Sequence, residues 1–176
     1  IMATRNPTTR EKKIYQAITA GKKGYGVYHK SCFHLHTPAS HDYKFLNGWT
    51  DKDYRAASES TIFDYCINHR VLPSNFDLEM INLSDFPAYS SKSYLALADS
   101  LMVHGLEIIV VADHNTIDGV EKLETAIKIQ HKHKSQYTFP VVLLGVEISC
   151  ADKNHVVGIF ANTESNRDRI NKWLSN

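Results

Sequence analysis

The feature that most constrains this fold is the run LEIIVVA at residues 106–112, which is apolar throughout except for Glu107. A run that is rich in β-branched residues and has no alternating polar positions is typical of a central strand covered on both faces. Helical periodicity precedes the run at about 90–105 and follows it at about 117–132, and a second apolar run, FPVVLLGVEIS, occupies residues 139–149. Strands that alternate with helices form parallel βαβ units. The chain is therefore predicted to be an α/β protein built on a parallel sheet.

Weaker patterns complete this outline. Residues 25–37, YGVYHKSCFHLHT, alternate like a strand, and HVVGIF at 155–160 indicates another. Residues 51–69 predict one helix and residues 163–176 a capped terminal helix. At the start of the chain, residues 10–21 have the spacing of a short helix, but they fit an arm outside the core equally well. We expect residues 1–29 to form this leading helix or arm, and residues 30–176 to form one α/β domain.

Composition narrows the classes of function without choosing one. The 176 residues carry 20 Lys and Arg against 19 Asp and Glu, so no global field favours a nucleic acid or a membrane surface. No stretch approaches the roughly 20 apolar residues of a spanning helix, and the polar start lacks the apolar core of a signal peptide, so we expect a cytoplasmic protein. Three well-separated cysteines predict neither a disulfide scaffold nor a zinc knuckle. The 10 histidines are the unusual feature.

The densest histidine cluster is CFHLHTPASHDY at residues 32–43. His34 and His36 are two positions apart on a predicted strand, so both side chains leave the same face and can bind one ion. Asp42 follows shortly and can supply an oxygen ligand, and His41 is near enough to line the same site. An H-x-H taken alone is often accidental, so the pair needs support from elsewhere in the chain.

Further polar groups adjoin the other predicted strands. Asp113 and His114 end the most hydrophobic run, and His155 begins the last predicted strand. Glu147 lies near the end of the strand between them, two residues after Gly145, which allows close backbone approach. The Asp-His pair has a structural alternative as a turn that caps the next helix, and His155 alone has one as an ordinary structural histidine. A lone buried carboxylate is costly, which favours a ligand or catalytic role for Glu147. Because strand ends meet at one edge of such a sheet, we expect one shared site.

Four motifs, FHLHTPASHDY, GLEIIVVADHNTIDGV, LLGVEIS and NHVVGIF, occur in an order and rough spacing that resemble the PHP (polymerase and histidinol phosphatase) domain. The resemblance covers about residues 30–160. It is strongest to PHP domains at the amino terminus of larger ATPase-bearing proteins, which share the first motif and a long helical insertion before the second. The resemblance implies a distorted (β/α)7 barrel that binds up to three divalent ions, usually zinc, manganese or iron, and hydrolyses phosphoesters. The family's later motifs, a further histidine and an Asp-x-His, have no counterpart here, so we expect only the first part of the barrel.

The resemblance also implies roles for individual residues. The residues that match the family's metal ligands are His34, His36, Asp42, His114, Glu147 and His155. Glu147 corresponds to a carboxylate that bridges ions, and we expect it to act in catalysis together with Asp113. Asp113 corresponds to a residue that neighbours the metal ligands and is not itself assigned as a ligand. Asp42 stands one position away from the aspartate of the family's usual Ser-Asp-Gly.

These expectations together predict a metal-dependent phosphoesterase in which zinc, manganese or iron ions activate water for attack on phosphorus. The substrate would be a nucleic-acid end, a nucleotide or a small phosphomonoester. One alternative is a catalytically incomplete module that serves as a docking or regulatory domain for an ATPase domain or subunit. Another is a metal-dependent amidohydrolase, which also carries an H-x-H on its first barrel strand, although no lysine stands at a predicted strand end to bridge its metals.

Overall fold

The computed structural model describes residues 8–10, 12–13, 16, 28–71, 88–151 and 153–175. Within these residues the chain is a mixed α/β protein, as the sequence predicts. In chain order the elements are β1 (Ser31–Leu35), α1 (Asp51–Ala56), α2 (Glu59–Asn68), α3 (Ala88–Val103), β2 (Ile108–Val111), α4 (Asp118–His133), β3 (Val141–Ser149), β4 (His155–Phe160) and α5 (Glu164–Leu174). Most of the predicted leading helix lies outside the described residues, although residues 9, 10, 12, 13 and 16 are helical.

The strands form one sheet in the order β1-β2-β3-β4. β1 pairs with β2, and β2 with β3, in parallel, as the alternation of strands and helices predicts. β4 runs antiparallel to β3, because only residues 150–154 join them and a parallel neighbour needs a crossover of a dozen or more residues. The parallel prediction is therefore wrong for this strand. The sheet curls into a half-barrel, which is compatible with part of a larger barrel.

β2 lies at the centre of the core. Ile109, Val110 and Val111 are completely buried, as expected for an apolar strand covered on both faces. Leu95 from α3 and Leu123 from α4 are equally buried and belong to the same apolar cluster as Ile109 and Val111. This packing fixes β2 against its neighbouring strands, so the segments that follow the strands start from rigid positions.

The helix predicted over residues 51–69 is two helices. α2 has its own start, because the Ser58 hydroxyl accepts a hydrogen bond from the backbone N–H of Thr61. The residue before it, Ala57, is extended, with a ψ of 137°. Serine is among the preferred N-cap residues, worth about 1 kcal/mol relative to alanine, which explains why the chain breaks here.

Candidate metal centre

The candidate site lies where β1, β2 and β3 end. His34 belongs to β1, His36 follows it directly, and His114 comes shortly after β2. A parallel bridge between His114 and Glu147 continues the pairing of β2 with β3 beyond the end of β2. Because β4 is antiparallel, its first residue, His155, lies beside the end of β3. The unpredicted direction of β4 is thus what brings the fourth motif to the other three.

Glu147 is the centre of the cluster. Its Oε2 atom lies 2.7 Å from His34 Nε2 and 2.8 Å from His36 Nε2. The two imidazole nitrogens are themselves 2.9 Å apart. On the other side of the carboxylate, Oε1 contacts His155 Nδ1. One carboxylate therefore joins histidines from the first and last strands of the sheet.

Asp42 joins the cluster from the loop after β1. Its Oδ1 atom lies 2.9 Å from His36 Nδ1, and its Oδ2 atom lies 3.4 Å from His114 Nε2. The Ser40 hydroxyl donates a hydrogen bond of 2.6 Å to Oδ1. The shift of one position relative to the family's motif therefore does not keep Asp42 away from the site.

The donor atoms form three overlapping groups that could hold a metal ion. Each residue offers one donor atom, and within each group these donor atoms all lie within 4.8 Å of one another. The groups are His34, His36 and Glu147; His36, Asp42 and His114; and His114, Glu147 and His155. The structure thus brings together all the residues that the sequence predicts as metal ligands, while their role as ligands stays a prediction.

The cluster has a buried floor and an exposed rim. Glu147 is only 3% exposed, whereas the side chains of His34 and His155 are 49% and 47% exposed. Burial by itself would raise the pKa of Glu147, but hydrogen bonds with the surrounding histidines outweigh it and lower the pKa to about 2. Burial likewise opposes ionisation of Asp42, yet the Ser40 hydroxyl and the nearby imidazoles keep its pKa below the ordinary value. Both carboxylates are therefore negatively charged at neutral pH, as cation ligands must be.

Asp113, predicted to be catalytic, bonds to Thr37 in the loop after β1. Its carboxylate accepts hydrogen bonds of 2.6 Å from the backbone N–H of Thr37 and 2.7 Å from the Thr37 hydroxyl. Burial raises the pKa of Asp113 to about 6, although the bonds from Thr37 oppose that rise. Asp113 contributes no donor atom to the groups found among the described residues, and a catalytic role for it stays a prediction.

Other histidines divide into neighbours of the site and distant ones. The ring of His41 lies 4.6 Å from that of His114, centroid to centroid, so His41 borders the site as the sequence suggests. His29 pairs with Glu107 before the start of β1. The second H-x-H, at residues 131 and 133, lies at the end of α4.

Sequence reasoning missed the residues that support the ligands. Thr37 and Ser40 are buried, and each bonds to an aspartate of the site region. Gly119, in the first turn of α4, leaves space for Thr37 and Asp113. A glycine inside a helix is unfavourable unless packing requires it, so the Asp-Gly near the end of the second motif was the available signal.

The donor set fits a divalent transition metal. Imidazole with carboxylate suits zinc, manganese and iron, and none of the groups among the described residues contains a thiolate. His114 is mostly buried, and its Nδ1 atom has no hydrogen-bond partner among the described residues. The nitrogen of His114 that faces Asp42 and Glu147 is Nε2, so the unpartnered Nδ1 points away from the cluster. The Nε2 atoms of His34 and His36, however, lie only 2.9 Å apart beside Glu147, and this crowding favours a cation as their missing partner.

Comparison with known proteins adds one relative. An uncharacterized protein of Streptococcus pneumoniae serotype 4 (strain ATCC BAA-334 / TIGR4) is 38% identical to the chain over 168 residues, which are 93% of this chain and 64% of that protein. The chain therefore spans less than two thirds of the length of the curated relative it matches. No family model and no solved structure matches the chain.

The helices give no sign of a membrane span. Among the described residues, no helix combines the length and the apolar character that crossing a bilayer requires.

Proposed function

We propose that this protein is a metal-dependent phosphoesterase of the PHP type and that its cluster binds zinc, manganese or iron ions. The observation that carries the proposal is the convergence of histidine and carboxylate donors on Glu147, in a site with a buried floor and a half-exposed rim. Structural zinc sites are closed by their ligands, whereas catalytic sites keep a position open. An open rim therefore favours a catalytic centre.

The chain's own groups would bind and orient the ions. Ions held there would supply Lewis acidity and lower the pKa of water toward neutrality. Glu147 supplies buried negative charge at the centre of the site, and the histidines on either side of it supply nitrogen donors. Asp42 contacts Nδ1 of His36, which fixes the orientation of that ring and leaves Nε2 directed at Glu147.

The surroundings of the cluster support a phosphorylated substrate. A groove of about 570 Å³ has His36, Asp42 and Lys44 among its lining residues, and the ammonium group of Lys44 would attract a phosphate. Hydrolysis there would release an alcohol from a nucleotide, a nucleic-acid end or a small phosphomonoester. We further propose a cytoplasmic location and an ATPase domain or subunit as a partner, on the resemblance alone.

The test combines metal content with hydrolysis. Purified protein is stripped with a chelator, reloaded with zinc, manganese or iron(II), and assayed with bis(p-nitrophenyl) phosphate and p-nitrophenyl phosphate. We expect stoichiometric metal by elemental analysis, and loss of both metal and hydrolysis when His34 and His36 are replaced together by alanine. Glu147→Gln should lower kcat by more than about 100-fold, because even groups that only orient ligands contribute 10- to 100-fold.

A matched control is available on α4. His131 and His133 have the same H-x-H spacing, but they lie at a helix end outside the three donor groups. The double alanine variant at these positions should keep full metal content and activity. Wild-type protein that binds no metal after reloading, or that binds metal and hydrolyses neither ester, would refute the phosphoesterase proposal.

Exposed apolar surface favours a second candidate, a docking or regulatory module. Val156 and Phe160 on β4 and Trp173 on α5 are 55%, 41% and 59% exposed and line one groove. Apolar surface of this kind is common at protein–protein contacts. Metal-free, inert protein whose partner binding is unchanged by the His34 and His36 replacements would favour this candidate over the enzyme.

A further inference from the structure

Two buried residues outside the donor groups connect the segments that carry the candidate ligands. Thr37 follows His36 in the chain, and Asp113 precedes His114. Thr37 and Asp113 are both fully buried and bond to each other twice, through the backbone N–H and the hydroxyl of Thr37. Each partner of this contact is thus covalently next to a residue of the site.

The contact continues the sheet beyond its last backbone hydrogen bond. The backbone N–H of Ala112 donates to the carbonyl of Leu35 at 2.8 Å, which is the last such bond between the segments of β1 and β2. The next donor along the first segment is the N–H of Thr37, and the Asp113 carboxylate accepts it at 2.6 Å. A side chain therefore keeps these segments at strand spacing where the backbone pairing has stopped.

Asp113 also contacts the third ligand-bearing segment. Its backbone carbonyl accepts a hydrogen bond of 3.0 Å from the N–H of Glu147. Tyr94 holds the Thr37 side chain in place. Its hydroxyl lies 3.0 Å from the Thr37 hydroxyl, and Tyr94 is almost completely buried. One aspartate thus ties together the backbone segments that bear His36, His114 and Glu147.

We propose that Asp113 and Thr37 are positioning residues that set the spacing of the imidazoles of His36 and His114 and of the Glu147 carboxylate. The two rings lie 4.9 Å apart, centroid to centroid. A metal ion tolerates little change in such distances, so loosening the contact weakens ion binding even though neither residue is a ligand. This inference rests on the proposed metal function and assigns Asp113 a different task from the catalytic one that the sequence predicts.

Thr37→Val and Thr37→Ser form the central pair of variants. Valine keeps the shape of threonine but removes the hydroxyl, whereas serine keeps the hydroxyl. In cobalt(II) titrations followed by visible absorption, Thr37→Val should bind about 10- to 100-fold more weakly than wild type, with altered ligand-field bands. Thr37→Ser should stay within about threefold, because the hydrogen-bonded oxygen is retained. Thr125→Val, on the exposed side of α4, is the control and should match wild type.

Metal-free protein supplies a second readout that does not depend on ion binding. Imidazole ¹⁵N NMR spectra report the tautomers and environments of His36 and His114, and these signals should move in Thr37→Val and return toward wild type in Thr37→Ser. If Thr37→Val fails to fold, Tyr94→Phe removes one bond to Thr37 and keeps the ring, so it should shift the same signals to a smaller extent.

The outcomes separate this inference from the proposed function. Wild type that binds no cobalt would refute the metal function, and the imidazole spectra would still decide whether the contact positions the rings. Folded Thr37→Val protein with unchanged imidazole signals and, where wild type binds cobalt, unchanged affinity would overturn the inference.

Discussion

Gly119 is a position near the site where a single added methyl group should be damaging. An ideal Cβ on Gly119 would lie 2.0 Å from the Thr37 hydroxyl oxygen and 2.2 Å from Asp113 Oδ2, far inside van der Waals contact. Its φ lies outside the left-handed region, so backbone conformation does not require glycine there. The requirement is for space, and Gly119→Ala tests it directly.

The expected cost follows from three contributions. Overpacking a tight site costs about 1–3 kcal/mol. If Thr37 moves away, the buried carboxylate loses hydrogen bonds that are worth about 1.5–3 kcal/mol for a charged group. The better helix propensity of alanine offsets at most about 1 kcal/mol. With the full offset, we expect the free energy of unfolding to fall by about 1.5–5 kcal/mol, which lowers Tm by roughly 3–20 °C in a domain of this size.

Urea and thermal unfolding of metal-free protein, followed by circular dichroism, measure this loss. Gly105→Ala is an informative comparison, because Gly105 has a left-handed φ of 66° but open space around its Cβ, so only backbone strain of about 1–2 kcal/mol applies. The exposed Thr125→Ala on the same helix should change stability by less than about 0.5 kcal/mol. In a Thr37→Ala background the cost of Gly119→Ala should shrink, since one of the clashing atoms is gone. A Gly119→Ala protein as stable as wild type would refute the assignment of this glycine to packing.

Two further predictions concern the sheet and the last helix. In Gly145→Ala the new Cβ would lie 2.3 Å from the carbonyl oxygen of Val111, so β2 and β3 must separate. Urea unfolding should show that the free energy of unfolding falls by about 3 kcal/mol. An unchanged urea midpoint would contradict the close approach. Arg167 bonds to Asn162 and Glu124 and ties α5 to α4. Because these groups are partly exposed, Arg167→Ala should lower the free energy of unfolding by about 1 kcal/mol in low salt and by less in 1 M salt. A loss that does not depend on salt would indicate packing in place of charge.

The site could be predicted from sequence because its chemistry follows strand geometry. Alternation along β1 predicts that His34 and His36 share a face, and the strand-end rule predicts that His114 and Glu147 meet there; the structure confirms both placements. The prediction that Gly145 permits a close backbone approach is also confirmed. These inferences needed only local periodicity and the convergence of parallel strands at one edge.

Other features depend on contacts that local patterns do not encode. The direction of β4 follows from the short connection that precedes it, which the alternation of strands and helices does not reveal. The bond between Asp113 and Thr37 joins residues 76 positions apart, and nothing near either residue signals the other. The break between α1 and α2 was signalled by Ser58, but the apolar stripe continues across it and concealed the second cap.

The sequence separations within the cluster determine when it can form during folding. Glu147 and His155 are 8 residues apart on one hairpin, whereas His34 and Glu147 are 113 residues apart. Local hairpins close in microseconds, while contacts of high sequence separation wait for the whole sheet because of their loop-closure entropy. A folding chain would therefore hold only the pair of Glu147 and His155 until β2 docks and adds His114, and it would lack His34 and His36 until β1 docks. Capture of the proposed metal ions by the complete cluster would be among the last events of folding.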